Sequence, residues 1–404
     1  MTDIRLRRLE PGEEDRFVRS VMVPFLDPPT DDPAVEEELA RWSQRVEVGR
    51  AWVAEAGGRF VANCETKTML LTVPSPVGGP CPDVAMAGVT EVGVAPTHRR
   101  RGLLTAMMGE MLGDARRRGE PIAGLIASES AIYGRFGFGH ATDGHTLLIE
   151  TAHSAYLRPA AELNLALLDR AEAKKELPAM FDRFRRARPG QPDRSRARWE
   201  AILDDGPHYR GKDRGAFVAA CADGFVRYRA TDDGTELILE DLYGATPEVE
   251  AALWRYVLDI DLVSRVRARR RPVDEPVRWR LADPRRLEVT ESQDMLWIRI
   301  LDVAAALQAR GYRHRGRLVI ELAGGEGRWL LDAGPDGAEC RPAKKGEPTD
   351  LRMRLADLGS VYLGGFRPSM LAAAGAVEEL TSGSLDVADA LFSAPLAPVT
   401  GTGF

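Results

Sequence analysis

The chain has 404 residues, which is more than one domain usually holds, so we expect two or three domains, each with its own core. Hydrophobic residues at 44% and charged residues at 29% are typical of a globular protein, and no run approaches the roughly 18 apolar residues of a membrane-spanning helix. The net charge of -6 argues against long-range attraction to nucleic acid. Four scattered cysteines favour free thiols, and the charged N-terminal segment lacks a secretory signal, so we predict a cytoplasmic protein.

The pattern of residues 50–130 predicts an α/β unit. Residues 50–73 alternate as two strands around a Gly-Gly turn, and residues 83–95, "DVAMAGVTEVGVA", predict a central strand with apolar residues on both faces. Apolar residues from Leu103 to Leu112 then recur at helical spacing, and a cationic last turn ends at Gly119. The next stretch, "PIAGLIASES", predicts another buried strand, so the order is strand, loop, helix, strand.

The loop between the central strand and this helix carries three arginines and a glycine, "THRRRG". A helix that begins near Gly102 directs unpaired backbone N–H groups and a positive helix end toward one spot, with Arg100 and Arg101 beside them. This arrangement predicts a phosphate site, although a solvated basic cap is the simpler alternative. The loop is not a P-loop, because no Gly-Lys-Ser/Thr follows, and it lacks the dinucleotide-binding Gly-x-Gly-x-x-Gly.

Two motifs in this region resemble a known family. Residues 90–108, "TEVGVAPTHRRRGLLTAMM", resemble motif A of the GNAT N-acetyltransferases, with Arg99 and Gly102 at the positions of the loop that grips acetyl-coenzyme A. Leu104, where most of that superfamily has a small residue, agrees with one subfamily. Residues 128–142, "SESAIYGRFGFGHAT", resemble the second motif of the same subfamily, the enhanced intracellular survival (Eis) aminoglycoside acetyltransferases.

The resemblance implies a set of residues that bind acetyl-coenzyme A. Val92, Gly93 and Val94 would pair with the pantetheine amides. The loop and the first helical turn would hold the pyrophosphate through Arg100, Arg101, Gly102, Leu103, Leu104 and Thr105. Ser128 and Glu129, at the end of the next strand, would also touch the cofactor. Both segments follow neighbouring strands at their carboxyl ends, where open α/β sheets bind ligands.

The resemblance also implies two catalytic residues. Tyr133 would protonate the leaving thiolate, although a core tyrosine would explain the same sequence. The family's terminal phenylalanine carboxylate, here Phe404, would act as the base, whereas an ordinary terminus would fray. The histidines of the N-terminal motifs lie in predicted loops, and His140 with His145 lacks a third metal ligand, so we predict no metal site.

The rest of the chain predicts two further domains. Residues 224–261 repeat the pattern of hairpin, long strand, turn and helix, but with Thr246 as helix cap and acidic residues in the first turn, which would repel a pyrophosphate. We therefore predict α/β plus α+β architecture: an N-terminal GNAT domain at 1–145, a degenerate GNAT-like domain at 146–292, and a sterol-carrier-like α+β domain at 293–404. The last domain would contain helices around 353–364, 368–380 and 384–392.

We accordingly expect an acetyl-coenzyme A-dependent N-acetyltransferase with a direct ternary-complex mechanism. Its partner would be a small-molecule amine, a polycation such as an aminoglycoside, with lysine side chains as another acceptor. Phe25, Asp27 and Trp42, near the acidic segment "DPPTDD", are candidate acceptor-binding residues. A lipid or sterol carrier and a binding module without turnover are the alternatives. We expect no nucleic acid as partner and no membrane span, and the resemblance implies a homohexamer.

Overall fold

A computed structural model describes residues 4–27, 32–76, 79–206 and 210–404. The strands in these residues are β1 (Ile4–Arg8), β2 (Ala51–Ala56), β3 (Arg59–Thr72), β4 (Asp83–Val94), β5 (Ile122–Ile126), β6 (Gly139–His140), β7 (Asp143–Glu150), β8 (Ala166–Leu168), β9 (Phe217–Cys221), β10 (Gly224–Ala230), β11 (Glu236–Gly244), β12 (Arg265–Arg271), β13 (Leu287–Asp294), β14 (Leu296–Ile300), β15 (Gly316–Leu322), β16 (Gly327–Gly334), β17 (Gly337–Pro342), β18 (Leu351–Met353) and β19 (Val377–Glu379). The α-helices are α1 (Glu14–Met22), α2 (Pro33–Ser43), α3 (Leu103–Arg117), α4 (Ser130–Tyr133), α5 (Arg170–Arg185), α6 (Arg196–Asp204), α7 (Pro247–Leu258), α8 (Val303–Ala309), α9 (Leu355–Val361), α10 (Pro368–Ala373) and α11 (Ser384–Leu391).

The first lobe is built on a seven-stranded sheet in the order β1-β2-β3-β4-β5-β14-β6. The predicted elements appear in it: β2 and β3 form the hairpin around the Gly-Gly turn, β4 is the central strand, and α3 links β4 to the parallel strand β5. Helix α3 buries Met107, Met108, Met111 and Leu112 against the sheet, which explains the apolar helical spacing of this segment.

The second lobe repeats this architecture, with its sheet in the order β8-β9-β10-β11-β12-β7-β13. Strand β11 matches β4, β12 matches β5, and α7 matches α3, so the predicted internal duplication is confirmed. The lobes also exchange strands. Residues 143–150 directly follow the first lobe but pair within the second sheet, whereas Leu296–Ile300, which the sequence placed in the third domain, pairs with β5 and β6 in the first sheet.

The third domain has a five-stranded sheet in the order β17-β16-β15-β18-β19. Two of its three predicted C-terminal helices fall close to the expected ranges, whereas α10 ends at Ala373 because the chain then forms β19 (Val377–Glu379). The domain shares one continuous core with the first lobe, in which Met86 and Ile122 pack with Leu318 and Phe392. The described chain contains no helix that is both long and apolar enough to cross a membrane, and all four cysteines are free thiols.

Candidate active site

Strands β4 and β5 separate at their carboxyl ends. Their parallel pairing extends only to Gly88 with Gly124, and in the described part of the chain β4 continues to Val94 without a strand partner on this side. Diverging strands leave a gap with backbone amide groups along one wall, which is a common ligand position in open α/β sheets. The segment Val92–Val94, predicted from the resemblance to bind the pantetheine arm, forms that wall.

A β-bulge at Glu91 helps to produce this separation. The register with β3 pairs Glu65 with Thr90 but Asn63 with Gly93, so β4 contains one extra residue. Glu91 has a φ of 53°, in the left-handed region that side chains disfavour. The amide Nδ2 of Asn63 donates to the Glu91 carbonyl oxygen at 2.5 Å and holds the bulge in this conformation.

A cavity of about 570 Å³, here called the arginine-loop cavity, opens beside Val92–Val94. It is lined by most of the residues that the resemblance implied for the cofactor: Val92, Gly93, Val94, Arg100, Gly102, Leu103, Leu104, Thr105, Ser128 and Glu129. Arg101 does not line it, because its guanidinium turns back to the Thr97 carbonyl oxygen at 3.4 Å. Arg99, Arg135 and His98 line the cavity as well.

The conformation of the arginine loop suits an anion. Arg100 and Gly102 have φ values of 62° and 79°, and Gly102 is the N-cap residue of α3. Left-handed residues among right-handed ones turn successive N–H groups toward one side and form an anion-binding concavity. A Cβ atom added to Gly102 would meet no heavy atom within 4 Å, so the glycine is explained by its backbone angle and by open space. The loop therefore fits a pyrophosphate.

Tyr133 also lines the arginine-loop cavity, at the end of the short helix α4. Its side chain is 6% exposed, and its ring packs edge-on against Phe138 with 6.2 Å between the ring centres. Burial raises the pKa of the Tyr133 phenol, Glu129 raises it further, and a hydrogen bond with Ser128 opposes the shift. The phenol therefore keeps its proton at neutral pH. Tyr133 is both a core residue and a wall of the cavity.

A second cavity of about 570 Å³, here called the Trp42 cavity, lies on the other side of the bulge. The three candidate acceptor-binding residues Phe25, Asp27 and Trp42 all line it, and Phe25 lines the arginine-loop cavity too. Residues 28–31 of the acidic segment lie outside the described residues. The two cavities therefore adjoin at Phe25 and at the bulged end of β4.

The Trp42 cavity carries charges of both signs. Its carboxylates belong to Asp27, Glu38, Glu47, Glu91 and Asp193, and its cationic groups to Arg45, Lys67 and Arg198. The Lys67 ammonium donates to the buried Glu65 carboxylate at 2.6 Å and to the Arg45 carbonyl oxygen at 2.5 Å, so its charge is compensated within the protein. The carboxylates therefore outnumber the cationic groups, which favours a cationic ligand.

Phe404 reaches the same cavity from the far end of the chain. The Thr90 hydroxyl donates to an oxygen of its terminal carboxylate at 3.1 Å. The ring lies over Gly88, where an added Cβ atom would come within 3.1 Å of it, and packs beside the shared core of the first lobe and third domain. The terminal carboxylate is thus bound at Thr90, which precedes Glu91 by one residue and precedes Val92, in the wall of the arginine-loop cavity, by two.

Glu91 is a functional candidate that the sequence analysis missed. Its side chain lines the Trp42 cavity, and burial followed by repulsion from Glu65 raises its pKa to about 7, against the opposing charges of Lys67 and Arg45. A hydrogen bond with Trp42 also favours the carboxylate. The available signal was a single acidic residue inside an otherwise apolar central strand, "VTEVGV".

His98 lines the arginine-loop cavity, whereas His140 and His145 line neither of the two cavities. His140 pairs with Asp143 at 2.8 Å and stacks on Trp297 with 5.6 Å between the ring centres. Across the ranges that the structure describes, no three His, Cys, Asp or Glu side chains form a group that could hold a metal ion.

Comparison with known proteins agrees with this geometry. Models of the acetyltransferase (GNAT) domain match residues 5–141 and 190–300, and a sterol carrier protein domain model matches residues 303–401. An uncharacterized N-acetyltransferase of Streptomyces coelicolor is 39% identical over 399 residues, which cover 92% of this chain and 93% of the relative. N-acetyltransferase Eis of Mycobacterium tuberculosis is 36% identical over 362 residues, or 87% of each chain. This chain belongs to the Eis family of GNAT N-acetyltransferases.

Solved structures support the family assignment. Eis1 from Mycobacterium abscessus superposes with a TM-score of 0.86 at 33% identity and covers 100% of both chains. A GCN5-related N-acetyltransferase from Kribbella flavida, at 22% identity and a TM-score of 0.80, shares the fold over 100% of this chain. The protein is therefore an N-acetyltransferase with tandem GNAT domains followed by a sterol-carrier-like domain, and GNAT acetyltransferases use acetyl-coenzyme A.

Proposed function

We propose that this enzyme acetylates primary amines of small polycationic acceptors, such as aminoglycosides, in a direct ternary complex with acetyl-coenzyme A. The observation that carries the proposal is the pair of adjoining cavities on either side of the bulge in β4, with the terminal carboxylate at their junction. One cavity has the arginine loop and the other has an excess of carboxylates. Lysine side chains are a second acceptor class that the same charges would accommodate.

The arginine-loop cavity would hold acetyl-coenzyme A, which supplies the acetyl thioester. Arg99 and Arg100, together with the N–H groups around Gly102, would bind its pyrophosphate through charge-assisted hydrogen bonds. The unpaired edge of Val92–Val94 would pair with the pantetheine amides and direct the thioester toward the bulge. Arg101 would contribute its charge to the loop rather than a contact in the cavity.

The acceptor amine arrives as an ammonium ion and must lose a proton before its nitrogen can attack. The Phe404 carboxylate would orient the ammonium group and receive its proton through a water. A terminal carboxylate is a weak base, with a pKa of about 3.5, so it would act mainly by positioning the acceptor. Glu91, with a pKa of about 7, is the stronger base and would take the proton onward. The nitrogen–carbon bond then forms at the thioester carbonyl.

Tyr133 would complete the reaction. As the carbon–sulfur bond breaks, its phenol donates a proton to the departing thiolate sulfur, so that coenzyme A leaves as the thiol. The attacking nitrogen gives up its second proton to water as the amide forms, and the phenolate regains a proton from solvent. The net reaction converts an ammonium and a thioester into an amide, a thiol and one released proton, which balances charge and atoms.

The direct test is a free-thiol release assay with acetyl-coenzyme A and a panel of amines. We expect turnover with aminoglycosides, weaker turnover with a lysine-containing peptide, and little with a monoamine of similar size, because only polycations use several carboxylates of the Trp42 cavity at once. Equal rates for the monoamine and the polycation would contradict the acceptor class. If none of the amines in the panel is acetylated and the protein binds lipid, the result would instead favour a lipid carrier. The hexamer and the cytoplasmic location stay predictions.

A further inference from the structure

The second lobe has its own cleft where the first lobe has the arginine-loop cavity. Strands β11 and β12 pair in parallel as far as Leu239 with Ala268 and then separate, and β11 carries a bulge at Glu240, just beyond the last pair. A cavity of about 170 Å³ lies in this gap, lined by residues 240–247 beside β11 and 269–272 beside β12. We call this gap the second-lobe cleft.

The second-lobe cleft is poorly suited to acetyl-coenzyme A. The Thr246 hydroxyl accepts from the Val249 amide and so caps helix α7 from within the chain. The cleft is also small, and its lining carries charges of both signs: Glu240, Asp241, Glu250, Arg185, Arg188, Arg269, Arg270 and Arg271. Arg185, Arg188 and Arg271 are engaged in ion pairs with Asp83, Asp274 and Glu275. Carboxylates at a helix N-terminus are favourable for the helix and unfavourable for a bound pyrophosphate.

The cleft is instead lined in part by the chain's own C-terminal tail, residues 396–404, through Leu396, Val399 and Gly401. The tail runs along the loop of residues 188–194, here called the clamp loop, which belongs to the second lobe. Their contacts form a ladder that continues to within two residues of the terminus: Arg188 Nη1 to Ala397 O at 2.9 Å, Val399 N to Pro189 O at 3.0 Å, Thr400 Oγ1 to Gly190 O at 2.9 Å, Gly401 N to Gln191 Oε1 at 3.2 Å, and Arg194 Nε to Thr402 Oγ1 at 2.8 Å.

The last rung of this ladder is held rigidly. Arg194 forms a buried ion pair with Asp241 of β11 at 2.6 Å, and its guanidinium stacks on the Phe181 ring at 4.2 Å. A buried, bidentate arginine has little freedom to move. Thr402, which accepts from this arginine, is only 2% exposed. The second lobe therefore fixes the tail at a point close to Phe404.

Gly401 shows how closely the tail fits. A Cβ atom added there would lie 2.6 Å from the Tyr243 hydroxyl oxygen. The Tyr243 ring packs between Phe181 and Phe225, with ring centres 5.1 Å and 5.5 Å away, so it cannot yield easily. Tyr243 lies on β11, two residues beyond Asp241.

We propose that the second-lobe cleft serves as a clamp for the chain's own C-terminal tail, and that Gln191, Arg194 and Tyr243 are positioning residues for the Phe404 carboxylate. This inference rests on the proposed function for its catalytic consequence. Two residues of extended chain span only ~7 Å, so fixing Thr402 confines the carboxylate to the neighbourhood of Thr90 and Glu91. The degenerate lobe thus acts on catalysis without binding cofactor.

Release of the terminal residue by carboxypeptidase A tests the clamp without relying on activity. The full-length, C-terminally untagged protein is incubated with the peptidase, and loss of Phe404 is followed by intact mass. We expect slow release from the wild type and release at least about tenfold faster from two variants. Gly401→Ala adds a clash with the Tyr243 hydroxyl, and Thr402→Val removes the hydroxyl that accepts from Arg194, so each weakens the hold on the tail. Thr402→Ser keeps the hydroxyl and should match the wild type.

Two controls make the result specific. Synthetic peptides with the tail sequence and the same substitutions give the intrinsic cleavage rates, by which the protein rates are divided, and thermal melts establish that the variants are folded. The clamp is overturned if Gly401→Ala and Thr402→Val release Phe404 at the wild-type rate, or if the wild type releases it as fast as its peptide.

The same variants separate the clamp from the catalytic assignment. With both correct, Gly401→Ala and Thr402→Val lower kcat about tenfold or more and leave the KM for acetyl-coenzyme A unchanged, because the arginine loop is untouched. Fast release of Phe404 with undiminished kcat would support the clamp and contradict the role of the terminal carboxylate as base.

Discussion

Two carboxyl groups that are far apart in the sequence, those of Glu91 and of the C-terminus, lie near the junction of the two cavities. Glu91 is held by a backbone conformation that side chains disfavour, with its pKa raised to about 7, and strain of this kind persists where the surrounding structure holds it in place. The Phe404 carboxylate is set beside it by the Thr90 hydroxyl. In the proposed reaction, Glu91 would take up the acceptor's proton, and the Phe404 carboxylate, from the far end of the chain, would orient the acceptor.

Replacing Glu91 by Gln should change the pH dependence of turnover. In the wild type, kcat/KM should rise as the pH passes through about 7, because Glu91 becomes a carboxylate there. In Glu91→Gln this limb should disappear and turnover should fall by about 10². Glu176→Gln, on the exposed face of α5, removes the same charge and should leave the profile unchanged. A retained limb in Glu91→Gln would assign the titration to another group.

The Glu91→Gln variant should also change how the stability of the fold depends on pH. Because the pKa of Glu91 is higher in the folded protein than its ordinary value of 4.5, the folded state binds more protons in between, and wild-type stability falls as the pH rises from 4.5 to about 7. Glu91→Gln lacks this fall. Its melting temperature relative to the wild type should therefore increase between about pH 5 and pH 8, and an unchanged difference would contradict the raised pKa.

Tyr133→Phe tests the general acid. The variant keeps the ring that packs on Phe138 and removes only the hydroxyl, so stability and acetyl-coenzyme A affinity should change little while kcat falls by about 10². Steady-state thiol release and calorimetric titration measure the two effects separately. Near-normal kcat would leave Tyr133 as a core residue alone.

Among the helices and strands, the sequence predicts what depends on local pattern and misses what depends on strand pairing. The hydrophobic spacing of α3, the Gly-Gly hairpin of β2 and β3, and the glycine at the start of α3 are local signals, and each element is found where expected. The bulge at Glu91 follows from the register between β3 and β4, and the direction of Arg101 follows from the turn of its loop. Neither is encoded in a local pattern.

The arginine loop gives a prediction with a matched control. Gly102→Ala forces a side chain into the left-handed region at a cost of about 1 kcal/mol, and relaxing the loop would turn its N–H groups away from the anion. We expect about tenfold weaker acetyl-coenzyme A binding by calorimetry. Gly109→Ala, in the middle of α3 with open space around the added Cβ atom, should bind normally and melt slightly higher. Equal affinities would argue against the loop as the anion site.

In the whole molecule, exchanged strands and a shared core connect the two duplicated lobes and the third domain. Strand β14 completes the first sheet from a segment that precedes the third domain, and the third domain's core continues into the first lobe. The buried Arg185 guanidinium of the second lobe pairs with Asp83 at the start of β4, at 2.7 Å. This architecture explains how residue 404 can reach the first lobe, and a domain order read from sequence does not reveal it.

The duplication predicts one cofactor site per chain. Only β4 is followed by the arginine loop, so calorimetric titration with acetyl-coenzyme A should give a stoichiometry near one, and Arg100→Glu should abolish it by placing a negative charge at the pyrophosphate. A stoichiometry near two would show that the second lobe binds cofactor, and unchanged binding by Arg100→Glu would contradict the arginine loop as the pyrophosphate site.

The negative charge at the end of the chain is proposed to take part in catalysis. Adding one glycine after Phe404 and converting it enzymatically to the Phe404 carboxamide removes the terminal charge while every side chain stays in place. We expect the carboxamide protein to fold and bind acetyl-coenzyme A like the free acid but to lose about 10² in kcat for aminoglycoside acetylation. A carboxamide protein that turns over at the rate of the free acid would contradict a role of the terminal charge in catalysis.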